Sequence, residues 1–498
     1  MPTLVLVCLF AALLVGLSAM FDPDTATYSG ALWFYIVFLG LMTALLMLGG
    51  QFLRLHDQRM PVLAHPPFLM TIWCVALIGI PGLASFFNPV LIDSIDDLVG
   101  INYPYAAWAL LLVTTGLASI WLGYGSGLLL FRPSIHSSRF FADLIIVTPH
   151  IVLVFYFLVV LVRLVRISVV GISYAADPGA WGTFSAFHQW IGYLESGAYV
   201  VVSLVALRVF QRKWPFGLLI LVGVVELIFA IISGTMKPAF WLIVLLALSA
   251  LFCGYNLLRY IPYILISLYV GIAIVPVTEY LRQNINDLNV NSPSSMVQSS
   301  LKAFRETWGQ GVDVGWNMFS EKVMGRQAEI SQNIGVILRK TPSELPYEGF
   351  HQFLAIPAYV VPRALWPDKP VITEGVSFSI AYLNHPSSTK TSSVRTIFGQ
   401  AYIFSGWPGV VLACIVLGFA LALFVRKLAY SGLAPVYLAL IPDLIDIENS
   451  YVSLVIQTAQ RVVVLLVICV FVVWIAKTLN VGNGRRKYFV KRFEDKVF

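Results

Sequence analysis

The chain has 498 residues, of which 59% are hydrophobic and only 11% are charged, whereas a soluble domain is about 45–50% apolar and about 25% charged. This composition excludes a soluble enzyme, a secreted disulfide scaffold and a nucleic-acid-binding protein. The five cysteines lie in apolar runs without the spacing of a disulfide framework or a zinc site. We therefore predict an all-α integral membrane protein without a metal or other cofactor. Much of the net charge of +7 lies in short loops and in the C-terminal tail.

Apolar runs of membrane-spanning length follow one another along the chain. In order, they lie near residues 3–20, 30–49, 68–87, 104–130, 143–162, 190–208, 216–233, 239–254, 260–279, 403–425, 433–447 and 460–477. They predict a polytopic bundle of about 12 transmembrane helices, about nine before the longest polar segment and about three after it. The predicted units are an N-terminal bundle, an outer loop domain, the C-terminal helices and a basic tail, at residues 1–279, 280–402, 403–478 and 479–498.

The loop charges indicate an orientation. Loops on the side of the basic tail are themselves basic, and the opposite loops carry acids such as Asp22, Asp96, Asp446 and Glu448. Positive charge is typical of the cytoplasmic side. An even number of spans places both termini on the same side, in agreement with the loop charges. We predict that both termini are cytoplasmic and that the acids of the outer loops are solvated.

The polar segment 280–402 is far longer than a connection between packed helices needs, so we expect it to be a folded unit on the outer face. Within it, residues 321–340 show helical spacing of apolar side chains and lack proline. This pattern predicts an amphipathic helix that lies against the membrane or the bundle. Frequent prolines predict irregular structure for the rest.

Basic residues are common in the outer segment, against the positive-inside bias, and acids are interleaved with them. Surface ion pairs would explain this pattern. Recognition of an anionic group at the membrane surface, such as a lipid diphosphate, would explain it as well, because guanidinium binds phosphate through two parallel hydrogen bonds. Arg163, Arg166 and Arg461 lie at the ends of spans, where a functional role and snorkelling both fit.

Two stretches carry a resemblance to a known family. Residues 361–370 read VPRALWPDKP, and residues 399–409, which lead into a span, read GQAYIFSGWPG. Both stretches, together with the many spans and the single dominant late loop, resemble the bacterial O-antigen polymerase family. Arg395 and Gly406 have the spacing of an arginine and a glycine described in that family. Related ligases place a histidine where this chain has Gln400, which favours a polymerase.

The resemblance implies a function at the outer face of the bacterial inner membrane. The protein would polymerise oligosaccharide repeat units, carried on undecaprenyl diphosphate, into a surface polysaccharide such as an O-antigen, a capsule or an exopolysaccharide. The segment 280–402 would be a periplasmic loop domain. Expected partners are the lipid-linked oligosaccharide, membrane lipid, a chain-length regulator and a flippase.

The chemistry of such a transfer selects candidate residues. Cations must stabilise the departing diphosphate, and an acceptor hydroxyl must lose a proton as it attacks the anomeric carbon. The candidates for catalysis are Arg395, Arg363, Glu374 and His351. The candidates for substrate binding are Lys369, Arg305, Arg326, Lys237, Trp366, Gln400 and Tyr402. The general base stays open among Glu374, His351, His385, Glu348 and Asp443.

Two other functions stay open. A transporter or flippase of lipid-linked oligosaccharide would place its cations in a cavity between two similar halves, and the single dominant outer loop favours the enzyme instead. A ligase-like transferase would use the same donor and a different acceptor. The sugar, the linkage and the oligomeric state are not predicted.

Overall fold

A computed structural model of the chain describes residues 28–57, 60–85, 103–131, 147–170, 194–232, 237–256, 311–350, 374–386, 393–430 and 433–480, together with residues 192, 272, 275–277, 279–280, 298, 302, 305–306, 352, 356, 361 and 366. Within these ranges the backbone forms helices, turns and loops, and no β-strand occurs. The predicted all-α class is confirmed for this part of the chain.

The helices of the described ranges are, in chain order, α1 (Tyr28–His56), α2 (Pro66–Cys74), α3 (Ile80–Ser85), α4 (Tyr103–Leu130), α5 (Pro149–Val170), α6 (Gly197–Phe210), α7 (Phe216–Ile232), α8 (Lys237–Phe252), α9 (Gly311–Lys340), α10 (Glu374–Ala381), α11 (Ile397–Phe424), α12 (Ala434–Leu444) and α13 (Tyr451–Asn480). A π-helical turn, Val75–Gly79, joins α2 to α3, and another, Val425–Ala429, continues α11.

Six of these helical rods are long and apolar enough to cross a membrane: α1, the joined α2 and α3, α4, α5, α11 and α13. Helices α6, α7, α8 and α12 are apolar but shorter. The predicted spans at 3–20 and 260–279 lie wholly or mostly outside the described residues. The count of twelve therefore stays a prediction, whereas the assignment to the membrane is confirmed by the long apolar helices.

Helices α4 and α11 form a close pair at the centre of the bundle. A side chain on Gly123 would collide with the carbonyl group of Ile415, and one on Gly418 would collide with that of Ile120. Small residues at these positions bring the two backbones into direct contact, as is typical of helix packing in membranes. Because of this contact, α11 is fixed firmly in the bundle.

Helix α9 contains the amphipathic helix predicted for 321–340 and begins ten residues earlier. Its apolar stripe, which includes Ile330, Ile334 and Ile337, is buried in the common core with the membrane helices. The amide of Gln327 donates to the Tyr35 hydroxyl at 2.7 Å, so α9 lies against the bundle.

Helix α11 is bent within its first half. Ser405 and Gly406 have non-helical backbone angles, and Pro408 follows them. The apolar rod from Ile397 to Ala429 has 33 residues, or about 50 Å at 1.5 Å per residue, against a hydrocarbon core of about 30 Å. The rod is therefore longer than the hydrocarbon core requires.

Candidate functional site

Arg395 stands directly before the first turn of α11, in a segment held from two sides. The amide of Asn333 on α9 donates to the Val394 carbonyl oxygen at 2.8 Å. The backbone N–H of Ile397 donates to the Ile447 carbonyl oxygen, in the loop between α12 and α13, at 3.2 Å. Three parts of the chain that are distant in sequence thus fix the position of this arginine.

The Arg395 side chain is buried, with 6% of its surface exposed. Its guanidinium carbon lies 5.7 Å from the centre of the Phe378 ring on α10. Its Nε and Nη1 atoms are buried and have no hydrogen-bond partner among the described residues. No acid among the described residues forms an ion pair with it, and a buried cation without one is costly, so this arrangement favours the binding of an anion.

The start of α11 adds to this electrostatic preference. Thr396, at the N-cap, adopts a φ of +59°, and its hydroxyl oxygen accepts a hydrogen bond from the Gly399 N–H at 3.0 Å. The backbone dipoles give the N-terminus of a helix partial positive charge, which attracts phosphate. The N-terminus of α11 therefore favours an anion already, and Arg395 adds a full positive charge beside it.

The bend in α11 holds a second segment in place. The N–H groups of Glu348 and Gly349 donate to the carbonyl oxygens of Ile403 and Phe404, both at 3.0 Å. In a regular helix the Phe404 carbonyl would accept from the residue four positions later, but that residue is Pro408, which has no N–H. The bend thus frees two carbonyl groups, and they fix the backbone of residues 348 and 349.

Gly406 is required at the bend for two reasons. Its φ of +66° with a ψ of −147° belongs to a region that only glycine adopts without strain. A Cβ at this position would lie 2.8 Å from the hydroxyl oxygen of Tyr347. The glycine that the resemblance singled out therefore shapes the helix and makes room for Tyr347.

A chain of side-chain amides connects Glu348 to α13. The Gln352 amide donates to the Glu348 carboxylate, and the Gln400 amide donates to the Gln352 side-chain oxygen at 3.1 Å. The Gln400 side-chain oxygen accepts from the Val452 N–H at 3.0 Å. Gln400 is fully buried, so its amide has a fixed orientation and in turn orients Gln352 towards the carboxylate.

Tyr382 lies next to the ring that contacts the guanidinium. It stacks on Phe378 at a centroid distance of 5.0 Å, and its hydroxyl lies 2.8 Å from the Thr341 hydroxyl oxygen. Burial raises the pKa of Tyr382, and the hydrogen bond to Thr341 lowers it. We call Arg395, Glu348, Gln352, Gln400 and Tyr382 the arginine–glutamate site.

An ion-pair cluster joins α8 and α9 to the loop after α12. The Lys237 ammonium lies 2.6 Å from Asp446 Oδ2 and 3.5 Å from Glu448 Oε2. The Arg326 guanidinium lies 2.8 Å from Glu448 Oε1 and 2.6 Å from Glu329 Oε2. Glu448 thus accepts from both cations, and Lys237 and Arg326, both predicted as substrate-binding residues, are brought together by it.

The pKa values of the cluster follow from burial and pairing. Burial raises the pKa of Glu448, but the hydrogen bond and charge of Arg326, together with Lys237, outweigh it and leave this pKa below its usual value. Burial dominates at Asp446 and raises its pKa although Lys237 opposes the shift. Burial lowers the pKa of Arg326, but Glu448 and Glu329 leave it raised. Glu448 is therefore the firmly ionised acid of the pair.

Asp446 and Glu448 correct an expectation from the sequence. Both were expected to be solvated loop carboxylates, yet Asp446 is 6% exposed and the Glu448 side chain 12% exposed, and both are paired. Lys237 is far from them in sequence, so no local pattern indicated the contact. The backbone contact between Ile397 and Ile447 places this loop directly beside the start of α11.

The remaining candidates lie elsewhere or outside the described residues. Tyr402, on α11, is buried and contacts the Tyr347 ring edge-on at a centroid distance of 6.2 Å. Arg305 is exposed, as is Trp366 at 41%. The side chains of Arg363, Lys369, His351 and Glu374 are not among those described, although Glu374 begins α10.

Three arginines at span ends have acidic partners within the bundle. Arg163 lies 2.7 Å from Glu226 on α7, and Arg166 lies 2.5 Å from Glu195. Arg461 pairs with Asp443, which was a candidate for the general base. These pairs explain why arginine is tolerated there and favour a structural role for it. Among the described residues, no three His, Cys, Asp or Glu side chains form a group that could hold a metal ion.

A family model described as a domain of unknown function, DUF8712, matches residues 156–430. The match covers more than half of the 498 residues. The chain belongs to this family. No curated protein and no solved structure matches it.

The DUF8712 region contains all five residues of the arginine–glutamate site, and also Gly406. It ends before Asp446 and Glu448, which are the counter-charges of Lys237 and Arg326. Helices α12 and α13 lie beyond the match as well. The part of the chain after the DUF8712 region thus contacts it, through the two acids of the loop between α12 and α13 and through the backbone of Val452 on α13.

Proposed function

We propose that this protein is an integral-membrane glycosyltransferase that polymerises oligosaccharide repeat units linked to undecaprenyl diphosphate. The repeat units would build a surface polysaccharide at the outer, periplasmic face of the bacterial inner membrane, in a bundle of about 12 spans with cytoplasmic termini. The observation that carries the proposal is Arg395, a buried guanidinium at the N-terminus of a helix, with two nitrogens that have no hydrogen-bond partner among the described residues.

The chemistry of the donor fits this position. A lipid diphosphate sits at the level of the headgroups, and the α11 rod is long enough for one of its ends to reach that level. A guanidinium forms two parallel charge-assisted hydrogen bonds with phosphate oxygens, and the helix N-terminus adds partial positive charge. Arg395 would thus bind the diphosphate and stabilise the negative charge that it gains on leaving.

The transfer itself moves the growing chain. The terminal hydroxyl of the incoming lipid-linked unit attacks the anomeric carbon of the growing chain. The bond from that carbon to the diphosphate oxygen breaks, and the electron pair leaves with the undecaprenyl diphosphate. The product is a chain longer by one unit on the lipid of the incoming unit, so the same site accepts it again. A flippase would supply the units, and a chain-length regulator would stop the cycle.

The test is polymerisation by purified protein in lipid nanodiscs. The substrate is the lipid-linked repeat unit extracted from cells that lack the gene, and the readout is the ladder of lengthened glycans. Wild-type protein should give a ladder. Arg395→Ala should reduce the rate by about 10²-fold or more, because one preorganised charge donor is removed. Arg395→Lys should recover only part of it, since the planar fork is lost.

The matched control is Arg339→Ala, which removes an exposed arginine of α9 and should leave the ladder unchanged. Protein abundance and melting temperature are measured for each variant. A normal ladder from Arg395→Ala would contradict the role of this residue. Cells that lack the gene should still attach single units to the final acceptor; complete loss of single units would support a flippase instead.

A further inference from the structure

We infer that residues 347–350 form the acceptor subsite of this transferase. The rings of Tyr347 and Phe350 would receive the terminal sugar of the incoming unit, and the Glu348 carboxylate would take the proton of its attacking hydroxyl. This inference rests on the proposed function. It adds the general base, which the sequence left open among five residues, and the surface that binds the acceptor.

The carboxylate of Glu348 is positioned but not neutralised. It accepts a hydrogen bond from the Gln352 amide, whose orientation is fixed by the buried Gln400. Within the described part of the chain, no cation forms an ion pair with it, unlike Glu448, which has two. A carboxylate that is held by a neutral donor keeps the charge and the lone pairs that a base needs.

The backbone at Glu348 is held in place by hydrogen bonds. Its N–H and that of Gly349 are bonded to the carbonyl groups exposed by the bend in α11. Since α11 also begins directly after Arg395, the base and the diphosphate-binding cation are attached to the same helix. A catalytic group needs this precision, because a displacement of about 1 Å lowers the rate strongly.

Two residues close to Glu348 in the sequence are aromatic and accessible. Tyr347 and Phe350 are each 42% exposed. The first packs edge-on against Tyr402, and the second packs against Phe404 at a centroid distance of 5.7 Å. Each ring packs against α11 and is also open to solvent. Such a ring offers a large surface to a ligand and loses little conformational entropy when the ligand binds. The C–H groups of a pyranose ring pack well on such faces.

Tyr382 and Phe378 join the segment before Glu348 to the guanidinium. The Tyr382 ring stacks on Phe378, over which the Arg395 guanidinium lies, and its hydroxyl lies 2.8 Å from the Thr341 hydroxyl oxygen, seven residues before Glu348. A glycosyl transfer needs this combination: a cation where negative charge develops on the leaving group, and a base where the acceptor loses its proton. In the transfer, the acceptor oxygen forms its bond to the anomeric carbon as its proton moves to Glu348, while the diphosphate leaves with the electron pair.

The test compares Glu348→Gln with Glu344→Gln in the nanodisc assay. The first variant keeps the size and the hydrogen bond to Gln352, and it should lower kcat by about 10²-fold or more, the usual contribution of a general base. Its affinity for undecaprenyl diphosphate should stay at the wild-type value. The second variant changes an exposed glutamate four residues earlier and should keep the wild-type kcat.

Two further measurements separate a base from a structural residue. Glu348→Ala should regain activity when formate is added, because a small carboxylate can take the vacant position, and Glu344→Ala should not respond to formate. Tyr347→Ala should raise the KM for the acceptor unit by about tenfold with a smaller change in kcat, since stacking stabilises bound and reacting sugar alike. The control Trp316→Ala, which removes an exposed ring of α9, should keep the KM.

The outcomes distinguish this inference from the function on which it rests. A wild-type protein that forms no ladder would overturn the proposed function. A wild-type ladder together with a normal kcat for Glu348→Gln would overturn only the acceptor subsite. Loss of activity in Glu348→Ala without rescue by formate, accompanied by a lower melting temperature, would assign Glu348 to the fold and overturn its role as the base.

Discussion

The guanidinium carbon of Arg395 lies 5.7 Å from the centre of the Phe378 ring, and on α10 that ring stacks on Tyr382 at 5.0 Å. The π face of an aromatic ring attracts a cation without neutralising it. Arg395 is therefore held in one orientation, yet it keeps its full charge for a ligand. An acid in place of Phe378 would hold the arginine equally well but would compete with a diphosphate.

This contact predicts the effect of Phe378→Leu. The substitution keeps an apolar side chain but removes a cation–π interaction worth about 1–2 kcal/mol at a desolvated site. The Kd for undecaprenyl diphosphate, measured by binding to the protein in nanodiscs, should rise by roughly 5- to 30-fold. Phe38→Leu, at an equally buried phenylalanine on α1, should lower the melting temperature similarly without changing this Kd. Equal Kd values for both variants would show that the ring does not hold the cation.

The bend in α11 predicts opposite effects for two glycine substitutions. Gly406→Ala should destabilise the protein by about 1–3 kcal/mol, because alanine is strained at a φ of +66° and collides with Tyr347. Gly325→Ala, on α9, meets no atom within 4 Å and should stabilise the protein by about 0.5–1 kcal/mol, because it reduces the freedom of the unfolded chain. Melting curves in detergent measure both. A neutral Gly406→Ala would mean that the bend is not required.

The pKa of Glu448 predicts how acid affects stability. Because this pKa is lower in the folded protein than its usual value of 4.5, the ionised carboxylate stabilises the fold above that pH, and the stabilisation disappears as the pH falls through the folded value. Glu448→Gln should therefore be less stable than wild type at pH 7, by about 1–2 kcal/mol. The difference in melting temperature should become smaller below pH 4.5. Glu321→Gln, at an exposed position of α9, should match wild type throughout. A difference that persists in acid would contradict the ionic contribution.

The pair of Arg163 and Glu226 predicts a non-additive result. The Glu226 side chain is buried, at 6% exposed, and that of Arg163 is 12% exposed, so removal of one takes away the nearest opposite charge of the other. Glu226→Leu should destabilise the protein by about 3–5 kcal/mol, whereas the double variant with Arg163→Met should recover most of that loss. Melting temperatures of the single and double variants measure this coupling. Additive losses would show that the two charges do not interact.

The sequence predicted those features that depend on neighbouring residues. Runs of apolar residues indicated the long helices because membrane-spanning length is a local property. The GQAYIFSGWPG stretch singled out Gln400 and Gly406, and both have special positions in α11, one fully buried in a hydrogen-bond network and the other at the bend.

The contacts that build the site join distant parts of the chain, so periodicity did not predict them. Lys237 and Asp446 are 209 residues apart, and Gln400 and Val452 are 52 apart. Phe378 and Tyr382 belong to the site only because the Arg395 guanidinium contacts the Phe378 ring on α10, and that ring stacks on Tyr382. Glu348 was one of five candidates for the base. What distinguishes it is the attachment of residues 348 and 349 to the bend in α11, and no local sequence pattern predicts this long-range contact.

The bend in α11 fixes the position of a neighbouring segment independently of the side chains of that segment. Residues 348 and 349 are fixed by hydrogen bonds between main-chain groups, and such bonds do not depend on which side chains the two residues carry. Evolution can therefore exchange the aromatic rings at positions 347 and 350 without rebuilding the attachment to α11. In the proposed transferase, the accepted sugar would then change while Glu348 and Arg395 keep their places.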